Sequence, residues 1–283
     1  MWRRRSSPAW PSRPQGGYTL AEVIVALVLG STVAVAAVGG YIFASGSWQE
    51  QRQRLETQQN LRAAIDLLSR ELRLAGACLP TAGPVNIRPL TGADNGTTDT
   101  ITVRANVRCA IGSLTGAVAA GATVLVLDTV AEFVPGMQIY VLHADTTTGE
   151  YAQVNSVDQT ANRLTLQAPL NQGYPKDSSV YGAEAQTFAI GSAGTVPVLT
   201  VATALGSPQP AVEGIERLDI RYVLNRNCSP GPCDLVDLPT SESEWSLVRA
   251  IQLDIGARSP RPISGGFYRL SQSIEVKPRN FLF

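Results

Sequence analysis

The sequence predicts an α+β fold, in which one long amino-terminal helix packs on an antiparallel β-sheet head that carries an inserted small β-subdomain. Two observations indicate the helix: no proline occurs between Pro14 and Pro80, and no charged residue occurs from Val23 to Gln49. A third observation indicates the head. Beyond Thr81, short runs of alternating apolar and polar residues are separated by turn residues.

Residues 18–76 are predicted to form one continuous helix, which at roughly 1.5 Å per residue would be about 90 Å long. Its apolar part, about residues 23–44, is long enough to cross a bilayer, because about 20 apolar residues suffice. Gly76 and Pro80 are the stop signals at its far end. The helix is therefore expected to have a transmembrane half and a more polar outer half.

The outer half of this helix carries one apolar stripe. Leucine and isoleucine recur there at helical spacing, at Leu61, Ile65, Leu68 and Leu72. Asp66 and Arg70 lie four residues apart in the order that stabilises a helix. We expect the stripe to pack against the head.

The head, residues 77–283, contains two blocks of predicted strands. Short strands are predicted at 101–107, 123–127, 137–142, 150–154 and 163–166. With the Gly/Ala-rich link 112–122, most of them fall in a small β-barrel or β-sandwich at about residues 113–184. Longer strands are predicted at 214–224, 247–255 and 267–276, and their alternation suits an antiparallel sheet with one buried face. That face is expected to cover the helical stripe.

Charge and cysteine content place the head outside the cytoplasm. Residues 1–17 contain four arginines and no acidic residue, and this basic side of the apolar run is expected to stay cytoplasmic. Without these residues, 19 basic residues remain against 23 acidic ones, a formal net charge of −4. This balance does not suggest a nucleic-acid-binding protein. All four cysteines follow the apolar run, on the side where disulfides persist.

The cysteines are predicted to form two disulfides. Cys228 and Cys233 enclose a Ser-Pro-Gly-Pro turn that can bring their sulfurs together, and Cys78 and Cys109 then pair by elimination. Four cysteines allow three connectivities, so this pairing is a choice among them. A zinc site built from all four is the alternative, and the missing C-x2-C pairs make it the weaker one.

The remaining polar residues do not form a recognisable catalytic or metal site, so no enzyme activity, metal or cofactor is predicted. His143 lacks a surrounding nucleophile motif and is interpreted as a strand or surface histidine. The acidic loops at 94–96 and 145–150 lack calcium-loop spacing and are explained as turns. The strand arginines, Arg221, Arg249 and Arg258, are expected on solvated faces.

The start of the apolar run resembles the prepilin signal of type IV pilins and type II secretion pseudopilins. The resemblance rests on Gly17, Tyr18, Thr19-Leu20 and Glu22 between a basic leader and an apolar helix. It implies removal of residues 1–17 by a prepilin peptidase that cuts between Gly17 and Tyr18 and methylates the new amino terminus of Tyr18. A signal anchor is the plainer alternative, and an ordinary secretory signal would have a shorter apolar core.

The resemblance gives Glu22 a role in assembly. It implies that the carboxylate pairs with the positive amino terminus of a neighbouring subunit. Physical chemistry agrees, because an unpaired carboxylate in an apolar bundle is penalised and an amine in the same layer offsets the penalty. The alternative is a charge at headgroup level that is tolerated by snorkelling.

A second, shorter resemblance concerns the head. Residues 68–76, and the order of the late strands with Trp245 before the second, resemble PilW-like minor pilins and J-type pseudopilins. This implies a non-enzymatic subunit in type IV pilus assembly or initiation, which passes from the inner membrane, with its head outside the cytoplasm, into the pilus. Its partners would be other pilins and minor pilins, the prepilin peptidase and the inner membrane. A J-like pseudopilin, an adhesin or ligand-binding module and a membrane-anchored enzyme remain as alternatives.

Overall fold

The structure, a computed structural model, describes residues 16–280 apart from 81–86, 146–147, 205, 227, 229–231 and 264. Most of the predicted leader, and three of the four turn residues between Cys228 and Cys233, lie outside the described residues. The chain divides into two compact units, Met1–Gln51 and Arg52–Phe283.

Helix α1 spans Leu20–Leu74, within the range predicted from the sequence. Gly76 ends it in the left-handed region, with φ of 78°. A side chain at this position would be strained, and its Cβ would also lie 3.3 Å from the carbonyl oxygen of Asn280. Glycine is therefore the residue that suits this helix stop.

The buried stripe of α1 differs in one position from the predicted one. Leu61, Leu68 and Leu72 are buried as predicted, but Ala64 completes the stripe and Ile65 is only partly buried. The ion pair also differs: the Arg70 guanidinium lies 2.8 Å from Glu71 and not on Asp66. Glu71 is the better partner because its carboxylate is nearly buried, whereas Asp66 is exposed.

Fifteen strands lie in the rest of the described chain. Their bounds are β1 Leu90–Ala93, β2 Thr100–Ala105, β3 Ile111–Ser113, β4 Val124–Val126, β5 Gln138–Leu142, β6 Gly149–Asp158, β7 Arg163–Leu166, β8 Ser179–Gly182, β9 Glu184–Ala193, β10 Val196–Thr203, β11 Gln209–Glu213, β12 Ile215–Leu224, β13 Leu235–Val236, β14 Val248–Arg258 and β15 Arg269–Val276. A short helix, α2, spans Glu242–Ser246. All neighbouring strands in the sheets pair antiparallel.

Two sheets share one core with the outer half of α1. One sheet has the order β1-β2-β9-β10-β11, and the other has the order β13-β12-β14-β15. The buried face of the second sheet, which includes Ile220 and Leu253, packs with the stripe of α1 in a single apolar cluster. The predicted α+β architecture, with an antiparallel sheet covering the stripe, is confirmed.

The two sheets meet at a short parallel bridge between Thr98 and Leu218. Asp99 lies beside this bridge and is 3% exposed. Its carboxylate accepts hydrogen bonds from the backbone N–H groups of Asn95 at 2.7 Å and Ile220 at 2.8 Å. Burial nevertheless outweighs these bonds and raises the pKa of the Asp99 carboxyl.

The inserted subdomain is a closed barrel. Six strands follow the order β3-β8-β5-β6-β7-β4, and a bridge from Leu114 to Leu127 joins the two outermost strands. The barrel has its own apolar core, which includes Phe133 and Tyr174. It is inserted at the tip of the β2–β9 hairpin, where Ala105 and Glu184 are direct partners. The insert therefore leaves and rejoins the head at one point.

Candidate functional site

The amino terminus of α1 is closed by a reciprocal capping box between Thr19 and Glu22. The Glu22 carboxylate accepts the Thr19 backbone N–H at 2.9 Å and the Thr19 hydroxyl at 3.0 Å. The backbone N–H of Glu22 in turn donates to the Thr19 hydroxyl oxygen at 3.3 Å. Two backbone donors that the first turn would leave unsatisfied thus have acceptors.

This geometry fixes Glu22 at the first turn of the helix, one turn away from Tyr18. Its negative charge also lies at the positive end of the helix dipole, which favours the ionised form of a side chain there. This contact was not predicted from the sequence, although Thr-x-x-Glu before an apolar run is the usual signature of a capping box. Glu22 thus has a local partner within its own chain.

The helix surface that follows is apolar all round. Side chains such as Leu27, Val35 and Phe43 are 67%, 73% and 81% exposed within the chain. The hydroxyls of Ser31, Thr32 and Ser45 donate to the backbone carbonyls three residues earlier, at 2.8–2.9 Å. Because these hydroxyls are satisfied locally, they carry little penalty in lipid or in a helix bundle.

By length and composition, α1 is the one helix in the described part of the chain that could cross a membrane. Its most apolar 18-residue stretch has a mean hydropathy of 2.3, and none of that stretch is buried inside the protein. A surface of this kind requires an apolar environment from outside the chain.

Residues 12–38 match the model of the prokaryotic N-terminal methylation motif. The chain has a prepilin-type amino terminus. The matched range contains Gly17, Tyr18 and Glu22 and leads into the apolar helix, in the manner of type IV pilins and pseudopilins. The prepilin-type terminus and the helix fit membrane anchoring with the head outside the cytoplasm. No curated protein matches the chain.

The peptide bond at the proposed processing point of this prepilin-type terminus lies outside the helix. Gly17 and Tyr18 precede the first helical residue, and Tyr18 is 88% exposed. Gly17 and Tyr18 thus lie in the non-helical segment just before α1, and Glu22 lies in the first turn of α1, next to the apolar surface. Exposed backbone outside a helix is what a protease can accommodate, because a helix must unwind before it is cut.

The structure brings the cysteines together in two pairs. Cys78 is bonded to Cys109 with their Cα atoms 5.2 Å apart, and Cys228 is bonded to Cys233 with their Cα atoms 4.0 Å apart. No group of three or more metal-ligating side chains occurs among the described residues. The first pair joins the end of α1 to the segment where the chain leaves the head sheet for the barrel.

Asn106 supports that junction. Its side chain donates to the carbonyl of Ala110 and accepts the N–H of Ala110, both at 2.9 Å, and its backbone N–H donates to the carbonyl of Ala77 at 2.8 Å. Asn106 is 1% exposed, so these buried hydrogen bonds hold the chain in place where it enters the barrel. No signal in the sequence distinguished it from other loop asparagines.

The remaining candidates behave as structural residues. The ring nitrogen Nδ1 of His143 accepts the backbone N–H of Asp145 at 3.2 Å. Asp94 accepts the N–H of Gly96 at 2.9 Å, as in an ordinary turn.

The expectation of solvated faces is wrong for two of the three arginines. Arg258 stacks at 4.3 Å from the centre of the Phe267 ring and donates to the carbonyl of Thr195 at 2.7 Å. Arg249 lies on the Cys228–Cys233 disulfide. Alternation along a strand predicts the face of a side chain but not what packs on that face.

Proposed function

We propose that this protein is a PilW-like minor pilin, a non-enzymatic subunit that takes part in assembly or initiation of a type IV pilus. The observation that carries the proposal is the prepilin-type motif at residues 12–38, placed on a 55-residue helix whose apolar half is exposed. An exposed apolar rod followed by a folded head suits a subunit that exchanges a lipid environment for a bundle of like helices.

The proposal includes processing. The leader, residues 1–17, is removed by a prepilin peptidase between Gly17 and Tyr18, and the new amino terminus is methylated. The remaining chain then consists of the helix, with its transmembrane part at about 23–44, and the head with its inserted barrel, anchored in the inner membrane until it joins the pilus. Mass spectrometry of the mature amino terminus tests this step, and a start at any residue other than Tyr18 contradicts it.

The central step of assembly is pairing of Glu22 with the amino terminus of a neighbouring subunit. In an apolar bundle, a carboxylate that loses its partner typically costs about 3–5 kcal/mol. The capping box holds Glu22 at the start of the helix, so its charge has a fixed axial position along α1. A fixed charge can set the axial register between neighbouring helices.

Two substitutions separate the charge of Glu22 from its capping role. Glu22→Gln keeps a side-chain acceptor for the Thr19 N–H but removes the charge, and Glu22→Ala removes both. We expect both variants to reduce the number of surface pili to a similar extent, with normal leader cleavage and an unchanged melting temperature of the head. Pilus counts by electron microscopy and immunoblots of the sheared pilus fraction give the readout.

The outcomes distinguish the possible roles. If Glu22→Gln assembles normally and only Glu22→Ala fails, the capping box matters and the charge pairing does not. If both variants enter pili in normal amounts, the carboxylate is a tolerated headgroup charge. Thr19→Ser, which keeps the hydroxyl of the box, is the matched control and is expected to be neutral.

A J-like pseudopilin of type II secretion shares every feature used so far. Deletion of the gene separates the two: loss of surface pili supports the minor pilin, and loss of a secreted enzyme with normal pili supports the pseudopilin. An adhesin has less support, since the described aromatic residues of the barrel are buried or half-buried. The groove where the barrel meets the head sheet, about 280 Å³ and lined by Gln138, Gln153 and Gln186 among others, is its remaining candidate.

A further inference from the structure

The guanidinium of Arg249 is directed at the Cys228–Cys233 disulfide. Its Nη1 lies 3.0 Å from the sulfur of Cys233 and 3.8 Å from the sulfur of Cys228. No carboxylate forms an ion pair with Arg249 among the residues that the structure describes. The positive charge therefore faces sulfur and not a carboxylate.

A cation in this position favours the reduced form of the pair. The sulfur of a disulfide is a weak, neutral acceptor, whereas a thiolate is an anion that forms a charge-assisted hydrogen bond with a guanidinium. The contact to Cys233 is the shorter one, so Cys233 is the sulfur that gains most from becoming a thiolate. Stabilisation of the departing thiolate speeds cleavage of a disulfide by thiol exchange.

Contacts that do not involve sulfur hold the ends of the Cys228–Cys233 loop. Arg226 bonds Asp234 at 2.7 Å and Glu244 at 2.9 Å, and so bridges the two sides of the loop and α2. The backbone N–H of Leu224 donates to the carbonyl of Asp234 at 2.8 Å. The loop closed by this disulfide is also short, with a sequence separation of 5 against 31 for Cys78–Cys109, and short loops gain the least from a crosslink.

We propose that the Cys228–Cys233 disulfide is a thiol-exchange site, with a dithiol reductant as its partner. One thiolate of the dithiol attacks the sulfur of Cys228, the disulfide bond breaks, and Cys233 leaves as a thiolate held by Arg249. The second thiol of the dithiol then attacks the mixed disulfide and displaces Cys228, which takes up the proton. Two electrons pass to the protein, and the dithiol becomes a disulfide.

The other disulfide is a stringent internal control. Cys78 and Cys109 are both exposed, whereas Cys228 and Cys233 are half-buried and therefore less accessible. If accessibility alone governed reduction, Cys78–Cys109 would react first. The proposal requires the opposite order, because the described residues around Cys78 and Cys109 donate no hydrogen bond to their sulfurs.

Timed reduction of the full chain in detergent micelles tests the site. The protein is exposed to dithiothreitol at neutral pH, trapped with iodoacetamide and mapped by peptide mass spectrometry. We expect Cys228–Cys233 to be reduced first, and Arg249→Gln to slow its reduction by about fivefold, since the lost cation destabilises the leaving thiolate. Arg249→Lys keeps the positive charge and should retain part of the rate.

A second readout excludes a merely structural role of Arg249. In the reduced protein, alkylation of Cys233 should reach half its maximal rate at a higher pH in Arg249→Gln than in the parent protein. Arg221→Gln, on the neighbouring strand β12, should change neither readout. Equal reduction rates for the two disulfides, or unchanged rates and pH profile in Arg249→Gln, would overturn the proposal.

Discussion

At the scale of single residues, two carboxylates obtain their hydrogen-bond donors in different ways. Glu22 is exposed within its own chain and is held by a short-range capping box. Asp99 is buried at the joint between two sheets and accepts one backbone N–H from Asn95, four residues earlier, and one from Ile220 on a distant strand. The first contact is visible in the sequence as Thr-x-x-Glu, and the second is not, because it depends on which strands become neighbours.

Asp99→Asn is predicted to destabilise the head. An asparagine side chain has one acceptor oxygen, so one of the two N–H groups that Asp99 satisfies would be left without an acceptor, at a cost of about 1–3 kcal/mol. Urea unfolding of the fragment that starts at Arg52 measures this difference. Asp94→Asn is the matched control: Asp94 is exposed, and an asparagine there keeps the turn contact with Gly96.

The pH dependence of this difference has a defined sign. The pKa of Asp99 is raised in the folded head, so the folded state binds a proton more tightly than the unfolded chain does. As the pH falls from the raised pKa of Asp99 in the folded head towards its ordinary pKa in the unfolded chain, the free energy of unfolding of the parent head rises. The Asp99→Asn head has no carboxyl at this position and does not gain this stability. The difference in free energy of unfolding between the parent and the variant should therefore increase on acidification. A gap that narrows would mean that the carboxylate is stabilised as the anion.

At the scale of elements, the helix and the strands with a regular apolar–polar alternation were the predictable ones. The range of α1, the barrel strand β7 and the three late strands followed from periodicity, which depends only on neighbours along the chain. The β9–β10–β11 meander was missed. Its strands include Gly191, Pro197 and Pro210, which weaken the strand pattern, and they are held by partners that the sequence does not reveal.

The stripe of α1 shows the same limit in one residue. Ala64 and Ile65 are adjacent and both apolar, and hydrophobicity alone favoured Ile65. Ala64 is fully buried in the core that α1 shares with the head sheets, and the larger side chain of Ile65 packs against the margin of that core.

Among the candidate sites, the motif at Gly17, Tyr18 and Glu22 was predictable because it is a local pattern of residues. The contact between Arg249 and the sulfurs was not, because it joins β14 to the loop beyond β12. The pairing of the four cysteines stays a prediction for peptide mapping to test, although the structure joins them in the expected way.

Excision of the barrel is predicted to leave a folded head. Ala105 and Glu184 are direct partners, so an Asn-Gly turn that joins them would close the β2–β9 hairpin. Because Cys78 would lose its partner, the variant also carries Cys78→Ser. We expect a cooperative thermal transition at a lower temperature than in the parent, since the apolar contacts of Leu79 and Ile87 with the barrel are lost.

The full-length double variant Cys78→Ser/Cys109→Ser isolates the effect of the missing disulfide, which the loop-entropy model puts at roughly 3–4 kcal/mol. A barrel-free head without a cooperative transition would mean that the insert is part of the folding unit of the head.

At the scale of the whole molecule, the boundary between the apolar and the polar part of the chain carries a tryptophan. Trp48 is 75% exposed and lies between the apolar run and the first acidic residue after it, Glu50. Tryptophan prefers the interface between hydrocarbon and water, where its ring is covered and its N–H is hydrated. In the proposed membrane-anchored state, Trp48 is therefore expected at headgroup depth.

Tryptophan fluorescence in lipid vesicles tests this placement. A chain that begins at Tyr18 and carries Trp245→Phe has Trp48 as its only tryptophan. We expect blue-shifted emission, and stronger quenching by lipids brominated near the headgroup than by lipids brominated at the chain end. The complementary variant Trp48→Phe reports on Trp245 in the head. Its emission should not be quenched by either class of brominated lipid. Emission of Trp48 at the wavelength of free tryptophan in water would contradict the placement.

The attachment of the barrel at a single point also determines the order in which the head can fold. In an unfolded chain, pairing of Ala105 with Glu184 requires closure of a loop of 78 residues, at an entropic cost of about 4 kcal/mol. Once the barrel is folded, its two ends are already neighbours, and β2 and β9 pair as if they were joined by a short turn. The fast route therefore begins with the barrel, and substitutions in its core should slow the formation of a sheet that they do not touch.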